Sequence, residues 1–205
     1  TPGFVVQHGH NRGRYPNEMN REEARSQLNL PSETKTLLYL GYISPYKNVP
    51  HLIETFREAT ASEQPITLLI AGKPDNETLK QAVIEAAGDA NNIQLHLRFI
   101  QDEELQVFFK AADLVVLPFE EILNSGSLLL ALSFNRAALA PHLGAIADCQ
   151  TEVGARWVKT YRGELTPQIL ADAIRGELPM GEEVSMGVME WDAIAQKTLD
   201  AYESL

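Results

Sequence analysis

At 205 residues, 44% of them apolar and 22% charged, the chain has the size and composition of one soluble domain with a sizeable core. A net charge of −11 excludes sequence-independent nucleic-acid binding, which needs a basic face. A lone Cys149 excludes an internal disulfide and fits a reducing, cytoplasmic setting.

No apolar run approaches the roughly 20 residues a membrane span needs. Five scattered histidines and one cysteine show no metal-ligand spacing, so no metal site is expected. Thr1-Pro2-Gly3 carries neither an initiator Met nor a signal-like apolar core, which suggests a start inside a longer protein.

In chain order, residues 4–8 read as an extra strand or a crossover. Residues 35–43 (KTLLYLGYI) read as a buried strand, followed by a helix over 49–61 with Leu52, Ile53 and Phe56 on one face. A second strand covers 66–71 and stops at Gly72 and Pro74; a helix capped by Asn76 runs to 87. A strand over 93–100 precedes a helix over 102–112, whose first turn is acidic, as the helix dipole favours. Residues 114–118 (LVVLP) form a wholly apolar strand, the mark of a strand covered on both faces. A helix over 125–134 and strands over 137–141 and 156–160 follow. Helices over 167–175 and 189–202 close the chain, the last amphipathic with Trp191, Ile194, Leu199 and Tyr202, its aromatic residues expected as core or interface anchors. Such alternation predicts one α/β domain over 1–205, a Rossmann-like, doubly wound parallel sheet.

Sheets of this kind bind ligands in loops at the carboxyl ends of their strands. The loop entering the helix at 125 contains Asn124-Ser125-Gly126-Ser127. Asn124 or Ser125 can cap the helix, and Gly126 lets a ligand reach amides at the positive end of its dipole. A well-capped core helix explains the same residues. In the loop after the first strand, Lys47 places a cation at a helix start, where the dipole disfavours it. A bound diphosphate would account for that; so would a solvated surface lysine. His8, His10 and Arg12 form a polar cluster after the first segment that reads as ordinary loop residues, although a resemblance to two-lobed enzymes would put His10 or Arg12 at a substrate cleft. No activated nucleophile is marked by spacing.

Gly41 to Asn48 with Leu52, Ile53 and Phe56 resembles the Gly-Arg-Leu-x-x-x-Lys-Gly segment of retaining family 4 glycosyltransferases, which have the GT-B fold. Ile66 to Pro74, Phe99-Ile100 through Pro118, and Trp191 to Tyr202 resemble later segments of the same family. The resemblance implies the C-terminal, donor-binding lobe of an enzyme that transfers a sugar from a nucleoside diphosphate sugar to an acceptor hydroxyl with retention. Residues 1–20 would cross over from a missing N-terminal acceptor lobe, which alone could bring membrane contact and a sugar or lipid-linked acceptor; 188–205 would hold the final helix. It implies no cofactor beyond the donor. Gly41, Tyr42, Lys47, Gly72, Asn124, Ser125, Gly126 and Ser127 would surround the donor, the backbone of Phe99 and Ile100 would meet its base, and Lys47 and Glu121 would serve catalysis.

Departures exist. Tyr42 stands where the family has an arginine, Leu130 replaces the second motif glutamate, and Ile122 replaces the first, with Glu121 beside it. A nucleotide-sugar 2-epimerase of the same fold and a non-catalytic binding domain are therefore alternatives.

Overall fold

The computed structural model describes residues 8–60, 65–121 and 125–203. Among these, six parallel strands form one sheet: β1 (Lys35–Leu40), β2 (Ile66–Ala71), β3 (Ile93–His96), β4 (Leu114–Val116), β5 (Ala137–Pro141) and β6 (Val158–Tyr161), in the spatial order β3-β2-β1-β4-β5-β6. Every side chain of β2, β4 and β5 is buried, and all of β1 after Lys35. Helices cover both faces, so these strands must be apolar throughout instead of alternating. From β1 the chain winds outward through β2 and β3, then returns to the centre and winds the other way through β4 to β6. The reversal lies between β1 and β4, where such sheets open a crevice at their carboxyl ends.

Among the described residues eight α-helices accompany the strands: α1 (Arg21–Gln27), α2 (Val49–Thr60), α3 (Glu77–Ala87), α4 (Leu105–Ala111), α5 (Gly126–Ser133), α6 (Gly144–Val153), α7 (Pro167–Arg175) and α8 (Trp191–Glu203). Caps fix several starts: Asn76 and Thr166 accept from Leu79 N and Ile169 N, as side-chain oxygens at N-caps do. Two helices escaped the sequence reading. Helix α1 is short but announced by an Asn20–Glu23 capping box. Helix α6 begins on Gly144 at φ +46° behind an uncapped Leu143, so it carries no sequence signal at its start.

Several strands end earlier than the apolar runs imply. Strand β1 stops at Leu40 because Gly41 turns at φ +149°, and Ile43 keeps only an isolated bridge to Pro74. Strand β3 stops at His96, where Arg98 N turns back to His96 O (2.9 Å). Before α4, residues 102–104 form a 3-10 turn. The proposed strand over 4–8 falls mainly outside the described residues.

In helix α8 the aromatic residues Trp191 and Tyr202 are exposed, as is Leu199, so of the expected core or interface anchors none is core. Trp191 instead closes a clasp with the incoming segment. Its Nε1 donates to His10 O (3.0 Å), His10 N donates to Met189 O (3.1 Å), and His10 Nε2 lies 2.8 Å from Glu190 Oε2. A Cβ on Gly9 would sit 2.4 Å from the indole. Gly9→Ala is expected to push Trp191 off the clasp and cost about 1–3 kcal/mol. In a Trp191→Ala background the same change should cost almost nothing, which a double-mutant cycle by urea unfolding checks.

Candidate functional site

The loops after β1, β2 and β4 are tied together by backbone. Gly41 N donates to Ala71 O (3.0 Å), Ile43 N to Lys73 O (2.9 Å), Asp75 N to Ile43 O (2.8 Å), and Glu120 N to Tyr46 O (2.9 Å). Gly72 has a steric duty here: an added Cβ would lie 1.8 Å from Gly41 O. Its place at the crevice is thus explained by packing of two strand ends. Tyr42, exposed, donates its phenol to Asp75 Oδ1 (2.7 Å) and so braces the same pair of loops.

Residues 45–47 form a 3-10 turn, and Asn48 at φ +50° turns the chain into α2. This brings Lys47 back over the end of β1. Lys47 Nζ and Ser127 Oγ lie 3.5 and 3.2 Å from the point where a Cβ on Gly41 would stand, and Tyr39 Oη lies 4.0 Å from it. The lysine from the β1 loop and the start of α5 therefore meet above Gly41, at the switch point. Ser125 is the N-cap, accepting from Leu128 N (3.0 Å), while the amides of Gly126 and Ser127 find no acceptor among the described residues. Gly126 is exposed and a Cβ on it would meet nothing within 4 Å, so there is room for a ligand beside the start of α5.

Lys47 makes no hydrogen bond or ion pair among the described residues; its ammonium lies 5.7 and 6.0 Å from the centroids of the Phe119 and Tyr46 rings. Burial lowers its pKa from the ordinary lysine value. A half-buried cation without a counter-charge, beside unpaired helix amides, is arranged to receive an anion with at least two oxygens.

The remaining expected residues are placed less closely. Ile100 is buried and Phe99 is exposed at the β3 end of the same sheet edge. Glu121 is exposed, and Glu120, not Glu121, lines the neighbouring cavity. Asn124 lies outside the described residues, as do Ile122 and Leu123. His10 and Arg12 serve structure: Arg12 donates to Asn135 Oδ1 (2.7 Å) and Val184 O (2.6 Å). Cys149 is buried and its thiol is pushed up to about 12 by burial and Glu152, so it is no nucleophile.

Sequence reasoning overlooked a cavity of about 480 Å³ at the ends of β4 to β6, next to the convergence point. Asn48, His51, Phe119 and Glu120 form one wall, and His142 and Arg162 belong to the other.

Near Phe99, Arg98 forks onto Glu104 at 2.5 and 2.7 Å, and this drives the Glu104 pKa down to about 2. A depressed carboxylate stabilises above its unfolded pKa near 4.5, and that contribution is lost as pH falls towards 2. Both side chains are partly solvated, so Glu104→Gln should cost at most about 1 kcal/mol at neutral pH and nothing near pH 2. Urea midpoints across that range check it.

Residues 20–122, half of the chain, match the family of glycosyl transferases group 1. A GDP-mannose:glycolipid 4-beta-D-mannosyltransferase of Xanthomonas campestris is 34% identical over 163 residues, covering 78% of this chain and 46% of that protein. The chain thus spans about half the length of that relative. A glycosyltransferase structure from Rickettsia africae superimposes with a TM-score of 0.70 at 14% identity, over 98% of this chain and 56% of that one. The Anabaena protein HepE, solved in complex with UDP and glucose, gives 0.62 at 18% identity, over 88% and 51%. These two likenesses speak for the fold. With a parallel α/β sheet wound about the β1/β4 switch point and a family match over half its length, the chain belongs to the glycosyl transferases group 1.

Proposed function

We propose that this chain is the donor-binding lobe of a glycosyltransferase that moves a hexose from a nucleoside diphosphate sugar to the hydroxyl of a sugar or lipid-linked acceptor. The observation that carries the reading is the meeting of Lys47, Ser127 and the open α5 amides above Gly41. When the glycosidic bond breaks, negative charge builds on the departing diphosphate. A preorganised ammonium and helix amides stabilise that charge in the transition state more than in the ground state. In this reading Lys47 does the electrostatic work a metal could otherwise do. Glu121 contacts the sugar or ribose, and the backbone near Phe99 and Ile100 meets the base. A second lobe outside this chain brings the acceptor, in keeping with the greater length of the Xanthomonas relative. That relative also makes GDP-mannose the first donor to test and a glycolipid the first acceptor, on the cytoplasmic side of a membrane.

Retention of the anomeric configuration is the stereochemistry the family resemblance implies. The relative's beta-linked product favours inversion as a second reading, because a beta-mannoside formed from an alpha-linked donor requires it. Coupling constants of the product anomeric centre, measured on the whole enzyme, separate the two.

Calorimetric titration with GDP-mannose, UDP-glucose and UDP-N-acetylglucosamine tests the lobe itself. Saturable binding of one of them is expected. No heat with any would overturn the reading.

A further inference from the structure

At the opposite edge of the sheet, where the strands begin, cations crowd the end of α4. Arg136 donates to Phe109 O (2.6 Å) and Lys110 O (3.4 Å), and Arg25 to Ala111 O (3.0 Å). Arg21 reaches Ala111 O and Ala112 O, both at 3.4 Å. Three guanidiniums thus cap the last carbonyls of one seven-residue helix, a task that needs donors but not three full charges. Lys110 adds a fourth cation, with no hydrogen bond or ion pair among the described residues.

The counter-charge is small. Asp113, buried, takes Thr36 N (2.7 Å) and Arg21 Nη2 (2.8 Å), with Arg25 at 4.0 Å. Glu182 stands at the rim but is already forked by Arg156 at 2.5 and 2.6 Å. Asp113, Glu33 on the Arg25 side and the roughly half-charge of a helix end face four cations, two of them the buried Arg25 and Arg136. Arg136 is held down to about 10, by burial first and then by Arg21; Lys110 is lowered by burial and by Arg136. In a protein of net charge −11, this local surplus is costly unless something neutralises it.

The surplus lines a groove of about 580 Å³ between Asn20, Arg21, Lys110, Asp113, Asn135 and Arg136. The volume exceeds what a water cluster needs and would admit a phosphate with an attached group. We infer that this groove binds a small phosphate-bearing anion, held by the Lys110 ammonium and the Arg21 and Arg136 guanidiniums, at a site separate from the donor crevice. The Lys110 ammonium is unspent among the described residues, while Arg21 and Arg136, whose nitrogens already donate to main-chain carbonyls or Asp113, add positive charge and their remaining protons.

Inorganic pyrophosphate is the probe, titrated into the full chain carrying Lys47→Ala so that the donor crevice is weakened. One saturable event is expected to persist, with amide shifts at Asn135 and Gly181 following it. Lys110→Glu should weaken it at least tenfold. Lys110→Gln, which keeps the packed stem, should weaken it several-fold. Absence of saturable binding in Lys47→Ala, indifference to both Lys110 changes, or shifts confined to residues 41–47 and 126–127 would each overturn the inference. Sedimentation with phosphatidic acid vesicles, abolished by Lys110→Gln, would assign the phosphate to a lipid headgroup; pyrophosphate binding without sedimentation assigns a soluble ligand. The donor reading fails on a different result, equal affinity of the unaltered chain and Lys47→Ala for a nucleotide sugar.

Discussion

Lys47→Ala is expected to weaken nucleotide-sugar binding roughly ten- to hundredfold, the loss of about 1.5–3 kcal/mol for a charge-assisted contact. It should not lower the stability of the unliganded chain. The ammonium is half-buried and unpaired among the described residues, and burial lowers its pKa, so folding carries an electrostatic penalty while it is charged. The sign follows from proton linkage: between the folded pKa and the ordinary 10.5, the unfolded chain binds more protons. The stability of the unliganded chain therefore rises with pH through that window, whereas affinity for the diphosphate falls as the lysine loses its charge. Lys47→Ala should show neither trend. Calorimetry beside urea unfolding from pH 8 to 10.5 reads both. A variant that binds normally, or that unfolds much more easily, would remove Lys47 from the site and make it a structural residue.

Gly72→Ala should be the most damaging single methyl in the chain. The added carbon would stand 1.8 Å from Gly41 O and 2.8 Å from Gly41 C, and neither atom belongs to a side chain that can swing away. Relief requires parting the ends of β1 and β2, at the expense of the Gly41 N to Ala71 O and Gly72 N to His96 O bonds. We expect a loss of about 3 kcal/mol or more, beyond ordinary overpacking. Donor binding should weaken along with it, because Gly41 is the floor beneath Lys47 and Ser127. The mid-point of urea unfolding gives the first quantity and calorimetry on the folded fraction the second. Gly126→Ala is the control, since its Cβ would meet nothing within 4 Å, and its stability should change by less than about 1 kcal/mol.

The strands β1, β2, β4 and β5 were legible because burial on both faces leaves apolar runs bounded by Gly, Pro and Asn, while the half-buried β3 and β6 were read from their place in the strand-helix alternation. Strand ends were not. The run 35–43 is apolar through Ile43, yet pairing stops where Gly41 takes a positive φ; Tyr42 is exposed, and Ile43 is buried among the loops with one bridge to Pro74. Helix α6 was invisible because Gly144 and an uncapped Leu143 are poor starting residues. At the site, Lys47 and the 125–127 turn could be picked out separately from dipole and capping rules. Their meeting depends on strand order and on the Asn48 turn, neither of which is written in local spacing. The excess of cations beyond α4 was hidden for a similar reason. Arg21, Lys110 and Arg136 are far apart in sequence, and an acidic total charge masks them.

The main-chain bonds between Ile43 and Lys73, Asp75 and Ile43, and Glu120 and Tyr46 stitch three neighbouring loops into one rigid brim. A ligand arriving there finds the landing place built before it docks, so little chain entropy remains to be lost on association. Tightness at such a brim is governed by which atoms it presents, and exchanging one side chain for another should retune selectivity without loosening the frame.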